Sequence, residues 1–196
     1  MKSTVIALTL AFASLNPAMV QDAPAEKQMR FLLGASLTFG GERLVTAGHQ
    51  DEIDMDIRAG GSVALTAGVD YRVNNTLSLQ ATLGYHIATN SFFDPLGDVR
   101  FRRYPIELLA YYQVCQSWRL GGEVRYLSNP TLKADGWYGG QEVSFDNTVS
   151  AVAEAEYSMG RHVGLKVRYV HETIKGKELI NKVDGSHVGI FASYYF

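Results

Sequence analysis

The chain has 196 residues, 46% of them hydrophobic and 19% charged, with a formal net charge of −2. That length suits one domain, and so neutral a balance excludes the basic footprint of a nucleic-acid binder or a strongly acidic partner. A single cysteine, Cys115, excludes an intramolecular disulfide framework and any multi-cysteine metal site.

The N-terminus reads as an export address. Lys2 precedes an apolar run from Val5 to Leu15, and the chain then turns small and polar up to Ala25. This is the order of a secretory signal. Residues 1–25 are therefore expected to be a signal peptide, cut between Ala18 and Ala25, with 26–196 as the folded domain. The alternative, an anchor helix, needs about 20 apolar residues.

From Phe31 onward the repeat is two residues, the signature of strands with one apolar face. In the first run Phe31, Leu33, Ala35, Leu37 and Phe39 oppose Leu32, Gly34, Ser36 and Thr38. The second sets Val63, Leu65, Ala67, Val69, Tyr71 and Val73 against Ser62, Thr66, Asp70 and Arg72. The third sets Leu77, Leu79, Ala81, Leu83, Tyr85 and Ile87 against Ser78, Gln80, Thr82 and His86. In the fourth, Tyr104, Ile106, Leu108, Ala110, Tyr112 and Val114 oppose Glu107, Leu109, Tyr111 and Gln113. The fifth places Trp118, Leu120, Gly122, Val124 and Tyr126 against Arg119, Glu123 and Arg125. The sixth places Phe145, Val149, Ala151, Ala153, Ala155 and Tyr157 against Ser150, Glu154 and Glu156. The seventh opposes Val163, Leu165, Val167 and Tyr169 to Gly164, Lys166 and Arg168. The last opposes Val188, Ile190, Ala192, Tyr194 and Phe196 to Gly189, Phe191, Ser193 and Tyr195.

Tight turns at 73–76, 115–118 and 158–162 alternate with long connections at about 40–60, 88–103, 127–146 and 172–187. Transmembrane barrels have this asymmetry of rims. Between its terminal aromatics the apolar face carries no Asp, Glu, Lys or Arg in any run. Aromatics bracket it: Phe31/Phe39, Tyr104/Tyr112 and Trp118/Tyr126 are each eight positions apart, and Tyr71, Tyr85, Tyr157, Tyr169, Tyr194 and Phe196 cap the other strands. Eight residues tilted by about 40° span roughly 20 Å, close to the ~25 Å apolar band of such barrels. The expected fold is all-β, an eight-stranded antiparallel up-and-down transmembrane β-barrel. A soluble sandwich explains the alternation but neither the aromatic bands nor the loop asymmetry.

The opposite face holds Asp70, Glu107, Glu123, Glu154, Glu156 and Glu172 with Arg72, Arg119, Arg125, Lys166 and Arg168. An eight-stranded barrel is just wide enough for side chains to fill, and charges there must pair because an unpaired buried charge is costly. The expected result is a plug of salt bridges. A narrow or gated ion path is the alternative.

With its export signal, eight alternating strands, charged lumen and aromatic C-terminus, the segment from Phe31 to Phe196 resembles the small eight-stranded outer-membrane β-barrels of Gram-negative bacteria, OmpA-like and OmpX-like. The resemblance implies residence in the bacterial outer membrane and contact with the bilayer and lipopolysaccharide. It also implies an insertion signal at Val188, Ile190, Ala192, Tyr194 and Phe196, read by the outer-membrane insertion machinery.

Some small outer-membrane barrels, the lipid A 3-O-deacylases, carry a His-x-Ser-Asn motif near a strand end. Here Ser128 and Asn129 match, but Tyr126 stands where the histidine would be. A serine needs an adjacent base to act as a nucleophile, and His171 is expected one whole strand away from it. His49, His86, His162 and His187 show no metal-ligand spacing, and no cofactor is implied. The run 49–61 continues the parity of the second strand through Ile53, Met55 and Ile57 against Asp54 and Asp56, which predicts a protruding hairpin. Trp137 and Tyr138 add a contact point to the 127–146 loop. The expected function is a monomeric, non-enzymatic barrel with a structural or surface-interaction role, binding an external ligand through loops 40–60 and 127–146. The alternatives are a narrow pore and a lipid A-modifying enzyme.

Overall fold

The computed structural model describes residues 28–47, 55–89, 97–136, 140–176 and 182–196. The expected leader, His49, Ile53, Asp54, Trp137 and Tyr138 lie outside the described residues. The strands are β1 (Met29–Gly40), β2 (Arg43–Ala47), β3 (Met55–Arg58), β4 (Ser62–Arg72), β5 (Leu77–Thr89), β6 (Gly97–Cys115) and β7 (Trp118–Gly136). They continue as β8 (Gln141–Ser144), β9 (Thr148–Met159), β10 (Val163–His171), β11 (Thr173–Lys175), β12 (Lys182–Asp184) and β13 (His187–Tyr195).

Eight of these form a closed antiparallel ring in the order β6-β5-β4-β1-β13-β10-β9-β7, with β6 pairing β7. The seam joins first strand to last, from Leu32 opposite Tyr195 to Gly40 opposite His187. Closure removes every free edge from the wall, leaving no backbone donor or acceptor to face an apolar medium. Leu65, Leu83, Leu108, Val124, Val149 and Ile190 point outward and are exposed, whereas their strand neighbours are buried or half-buried. This is a hydrophobic molecule turned inside out.

Inward positions carry glycine where a bulky side chain crosses the lumen. A Cβ on Gly121 would lie 2.7 Å from the Tyr111 ring, and one on Gly189 would lie 2.6 Å from the Phe191 ring. Interior volume is thus shared between neighbouring positions, along β13 and between the paired β6 and β7, large against none.

Three expectations need correction. The segments 88–103 and 127–146 are largely strand: β6 and β7 each run 19 residues and rise together well past the ring. Polar connections and strand extensions look alike when the outward face stops being apolar. Next, Phe145 does not face outward but is buried. At this level β7 has an extra residue against β6, Asn129 adopts φ 47°, and the Phe145 amide donates to the Pro130 carbonyl at 2.9 Å. Such a bulge reverses the parity of the strand beyond it, so Leu132 and Ala134 turn inward with Val143 of β8.

Finally, the hairpin does not continue the parity of the barrel strand. β2 and β3 pair as a separate ribbon, reached through Gly40 and Gly41 at φ 123° and 76°. Both values lie in the left-handed region that favours glycine. The ribbon folds over the ring, so Ile57 and Ala59 join Val99, Phe101, Leu127, Phe145 and Ile174 in a buried apolar cluster. That cluster lies at the rim bearing the long connections.

Candidate functional site

Below the apolar cap the lumen is filled by a continuous ladder of ion pairs. At the short-turn rim Arg30 reaches Asp70 at 2.7 Å, and Asp70 also accepts from Arg119 at 2.8 Å. Arg119 bridges onward to Glu156 at 2.9 Å while its guanidinium lies 3.9 Å from the Tyr111 ring centroid. Lys166 spans Glu156 at 3.4 Å and Glu154 at 3.2 Å. The hydroxyls of Tyr111 and Tyr195 donate to Glu154 and Glu156, which anchors each carboxylate from a strand two places round the ring.

Arg168 is the hub of the middle level. Its Nε donates to Glu154 at 2.6 Å and its Nη1 to Glu107 at 2.7 Å, while Nη2 stands 3.4 Å from Glu123. Three carboxylates from β6, β7 and β9 therefore converge on one guanidinium from β10. Thr82 of β5 donates to Glu107 at 2.8 Å. Arg125 lies 3.6 Å from Glu107 and 3.4 Å from the His187 Nε2. Under the cap, Arg103 donates to the Ala59 carbonyl at 2.6 Å and pairs with Glu172 at 3.4 Å. That contact fastens the folded-over ribbon to the wall.

Asp70, Glu107, Arg119, Glu123, Arg125, Glu154, Glu156, Lys166 and Arg168 are all buried inside the ring. Arg72, placed with them on sequence, sits half-buried at the short-turn rim instead, because β4 ends there and the side chain reaches the opening. Arg103 and Arg30 belong to the ladder, although parity reasoning did not reach them. Arg103 was counted within a connection, yet its odd position matches Glu107 and signals the inside.

The aromatics form two bands once strand direction is known. Phe31, Tyr71, Tyr112, Trp118, Tyr157, Tyr194 and Phe196 ring the short-turn rim, while Phe39, Tyr85, Tyr104, Tyr126 and Tyr169 ring the other. Neighbours touch within each band: Trp118 and Tyr157 centroids are 5.1 Å apart, and Tyr85 and Tyr104 are 5.4 Å apart. The last strand closes this rim, since the Phe196 amide donates to the Phe31 carbonyl at 2.9 Å.

Among the described residues no histidine pairs with Ser128. His171 lies on β10, separated from β7 by β9, with its Nδ1 3.4 Å from the Ser186 hydroxyl. Asn129 is occupied by the bulge, its amide donating to the Asn147 side chain at 2.9 Å. His86 and His187 are buried in the lumen, and His162 stacks on Tyr194. Among the described residues no three His, Cys, Asp or Glu side chains gather as a metal site.

A closed eight-stranded ring with an apolar exterior, two aromatic bands and an ionic interior defines a transmembrane β-barrel. A family profile for the outer membrane protein beta-barrel domain matches residues 5–196. The chain belongs to that family, and its place is the bacterial outer membrane, with the short-turn rim toward the periplasm. No curated protein sequence matches it.

Among solved structures it is similar to Ail, the attachment invasion locus protein of Yersinia pestis. Identity is 12%, with 86% of this chain and 97% of that one covered and a TM-score of 0.57. Ail in complex with the heparin analogue sucrose octasulfate gives 14% identity, the same coverage and a TM-score of 0.56. Neisserial surface protein A gives 13% identity over 86% and 95% of the two chains, at a TM-score of 0.48.

Proposed function

We propose that this protein is a sealed, non-enzymatic, monomeric barrel that stabilises the outer membrane and presents its outer strand extensions as a binding surface. One observation carries the reading. The lumen is occupied from rim to rim, by the ladder from Asp70 to Arg103 and then by the apolar cap. A path for ions requires breaking several buried pairs at once, and each broken pair costs about 3–5 kcal/mol. Among the described residues no histidine pairs with Ser128, and His171 faces Ser186 instead, which supports a non-hydrolytic role.

The interaction surface then falls to the extensions: β2–β3, the raised ends of β6 and β7 with β8, and β11–β12. Because Ail has been seen with a heparin analogue, sucrose octasulfate is the first external probe to offer. In the same reading, Val188, Ile190, Ala192, Tyr194 and Phe196 act as the segment read during insertion.

The folded protein is expected to give no discrete openings in planar bilayers. Deletion of one of the extensions 43–58, 131–144 or 173–184 is expected to abolish capture of the probe. Regular single-channel steps would remove the sealed-barrel reading. Capture that survives every deletion, or no capture by the intact protein, would remove this ligand class from the binding surface.

A further inference from the structure

Beneath the apolar cap the lumen gathers basic side chains from four strands. His86 of β5 and Arg103 of β6 stand directly opposite each other in register. Arg125 of β7 and His187 of β13 complete the group, and all four are buried. The leading electrostatic neighbours of His86 are Arg125, Arg103, His187 and Arg168, in that order. Those of His187 are Arg103 and Arg125. Every one of them is basic.

The acids at this level are already committed. Glu107 accepts from Arg168 at 2.7 Å through one oxygen and from Thr82 at 2.8 Å through the other. Glu172 pairs with Arg103 at 3.4 Å and accepts from Ser150 at 3.0 Å. Arg125 is left with Glu107 at 3.6 Å, beyond hydrogen-bond range, and with one long contact of 3.4 Å from Nη1 to the His187 Nε2. His187 is the acceptor there, because its Nδ1 donates to the Gly185 carbonyl at 2.7 Å.

Donors are left over as a result. The Nε and Nη2 of Arg125, the Nε of Arg103 and the Nε2 of His86 have no hydrogen-bond partner among the described residues. The His86 Nδ1 lies 3.3 Å from the Ser62 hydroxyl, and the tautomer that takes the Ser62 proton at Nδ1 carries its own N–H at Nε2. A buried guanidinium with unused N–H groups is costly. What it needs is an acceptor. Water brings two protons that require acceptors of their own, whereas the neighbours of His86 and Arg125 are donors. An anion accepts only, and it offsets the crowded positive charge of Arg103 and Arg125. Among the described residues the carboxylate with unpartnered oxygens is Glu123, which stands one level lower and 3.4 Å from Arg168.

We infer that Arg125, Arg103 and His86 form a buried site for one small inorganic monoanion, taken up as the barrel folds and held beneath the cap. The surrounding side chains are packed and buried, so the guest is a few atoms at most. The site goes beyond the sealed-barrel reading, and the planar-bilayer measurement does not depend on it.

For the test, the full-length protein is refolded into detergent micelles in sodium bromide and crystallised, and bromide is located by its anomalous scattering. One peak is expected within hydrogen-bonding reach of the Arg125 Nη2 and the His86 Nε2. In solution, chloride replaces gluconate at constant ionic strength during urea unfolding. The folded-to-unfolded ratio is expected to rise about tenfold for each tenfold increase in chloride above its dissociation constant. Arg125→Met is expected to abolish that dependence, and Arg161→Ser, in an exposed turn, to keep it. If Arg125→Met fails to fold, His86→Phe carries the solution test with a several-fold loss of the chloride effect, and the diffraction test needs no variant. A water in place of bromide, bromide at the protein surface alone, or an undiminished chloride effect in the variants would overturn the assignment.

Discussion

Arg168 shows how one residue organises the interior. Its guanidinium contacts Glu154, Glu107 and Glu123, and its carbon-bound face lies 4.4 Å from the Phe191 ring centroid. Removing the charge leaves three buried carboxylates together, with Arg125 beside Glu107 and Lys166 beside Glu154 as their remaining cations among the described residues. Arg168→Met keeps the length and drops the charge. It is expected to destabilise the barrel by about 3–5 kcal/mol, the range for breaking a buried pair from one side. Urea unfolding from phospholipid vesicles, followed by tryptophan fluorescence, measures the loss. A change below about 1 kcal/mol, the worth of an exposed surface pair, would deny Arg168 its central place.

At the scale of the strand, β6 carries three environments in one run. Its inner part alternates Ile106, Leu108 and Ala110 toward lipid with Glu107, Leu109 and Tyr111 toward the lumen. Its outer part keeps the parity but carries Arg100 and Arg102 outward in place of apolar residues, and exchanges the ladder for the cap inside. Leu108 sits midway between Tyr104 and Tyr112 and is 65% exposed on the outward face. Leu108→Arg is expected to cost about 2–4 kcal/mol, as a charge at the bilayer midplane does. The same equilibrium unfolding experiment reads it, and the penalty should shrink when the arginine is moved to Val114 near the rim.

At the scale of the whole molecule, two layers of buried side chains lie in series within one wall among the described residues. The ladder is polar and spans most of the membrane, and the cap is apolar and sits at the external mouth. Phe101 packs edge-on against Phe145, with ring centroids 5.7 Å apart. Phe101→Ala is expected to cost about 3–5 kcal/mol, as for other large buried aromatics. It should nevertheless leave planar bilayers silent, because the ion pairs below remain. Discrete conductance in this variant would show that the cap alone holds the seal.

Period two assigned the sides of the wall, because in an extended chain successive side chains alternate whatever the partners are. Thus Glu107, Arg125, Glu154 and Arg168 were readable as inward, and Leu65, Leu108 and Ile190 as outward, from sequence alone. The same locality set the limits. Parity fails wherever the backbone inserts a residue, as at Asn129, or turns through glycine, as at Gly40 and Gly41. This is why Phe145 and Ile57 were misplaced.

The sequence by itself determined the class of protein: the medium outside, the strand number, and the sign and side of the charges. Only the tertiary structure decided which cation meets which acid, that Arg103 and Arg30 join the ladder, and that a ribbon folds back to cap it. Those contacts join strands far apart in the chain, and they depend on tilt, stagger and ring closure. None of these is a property of neighbouring residues.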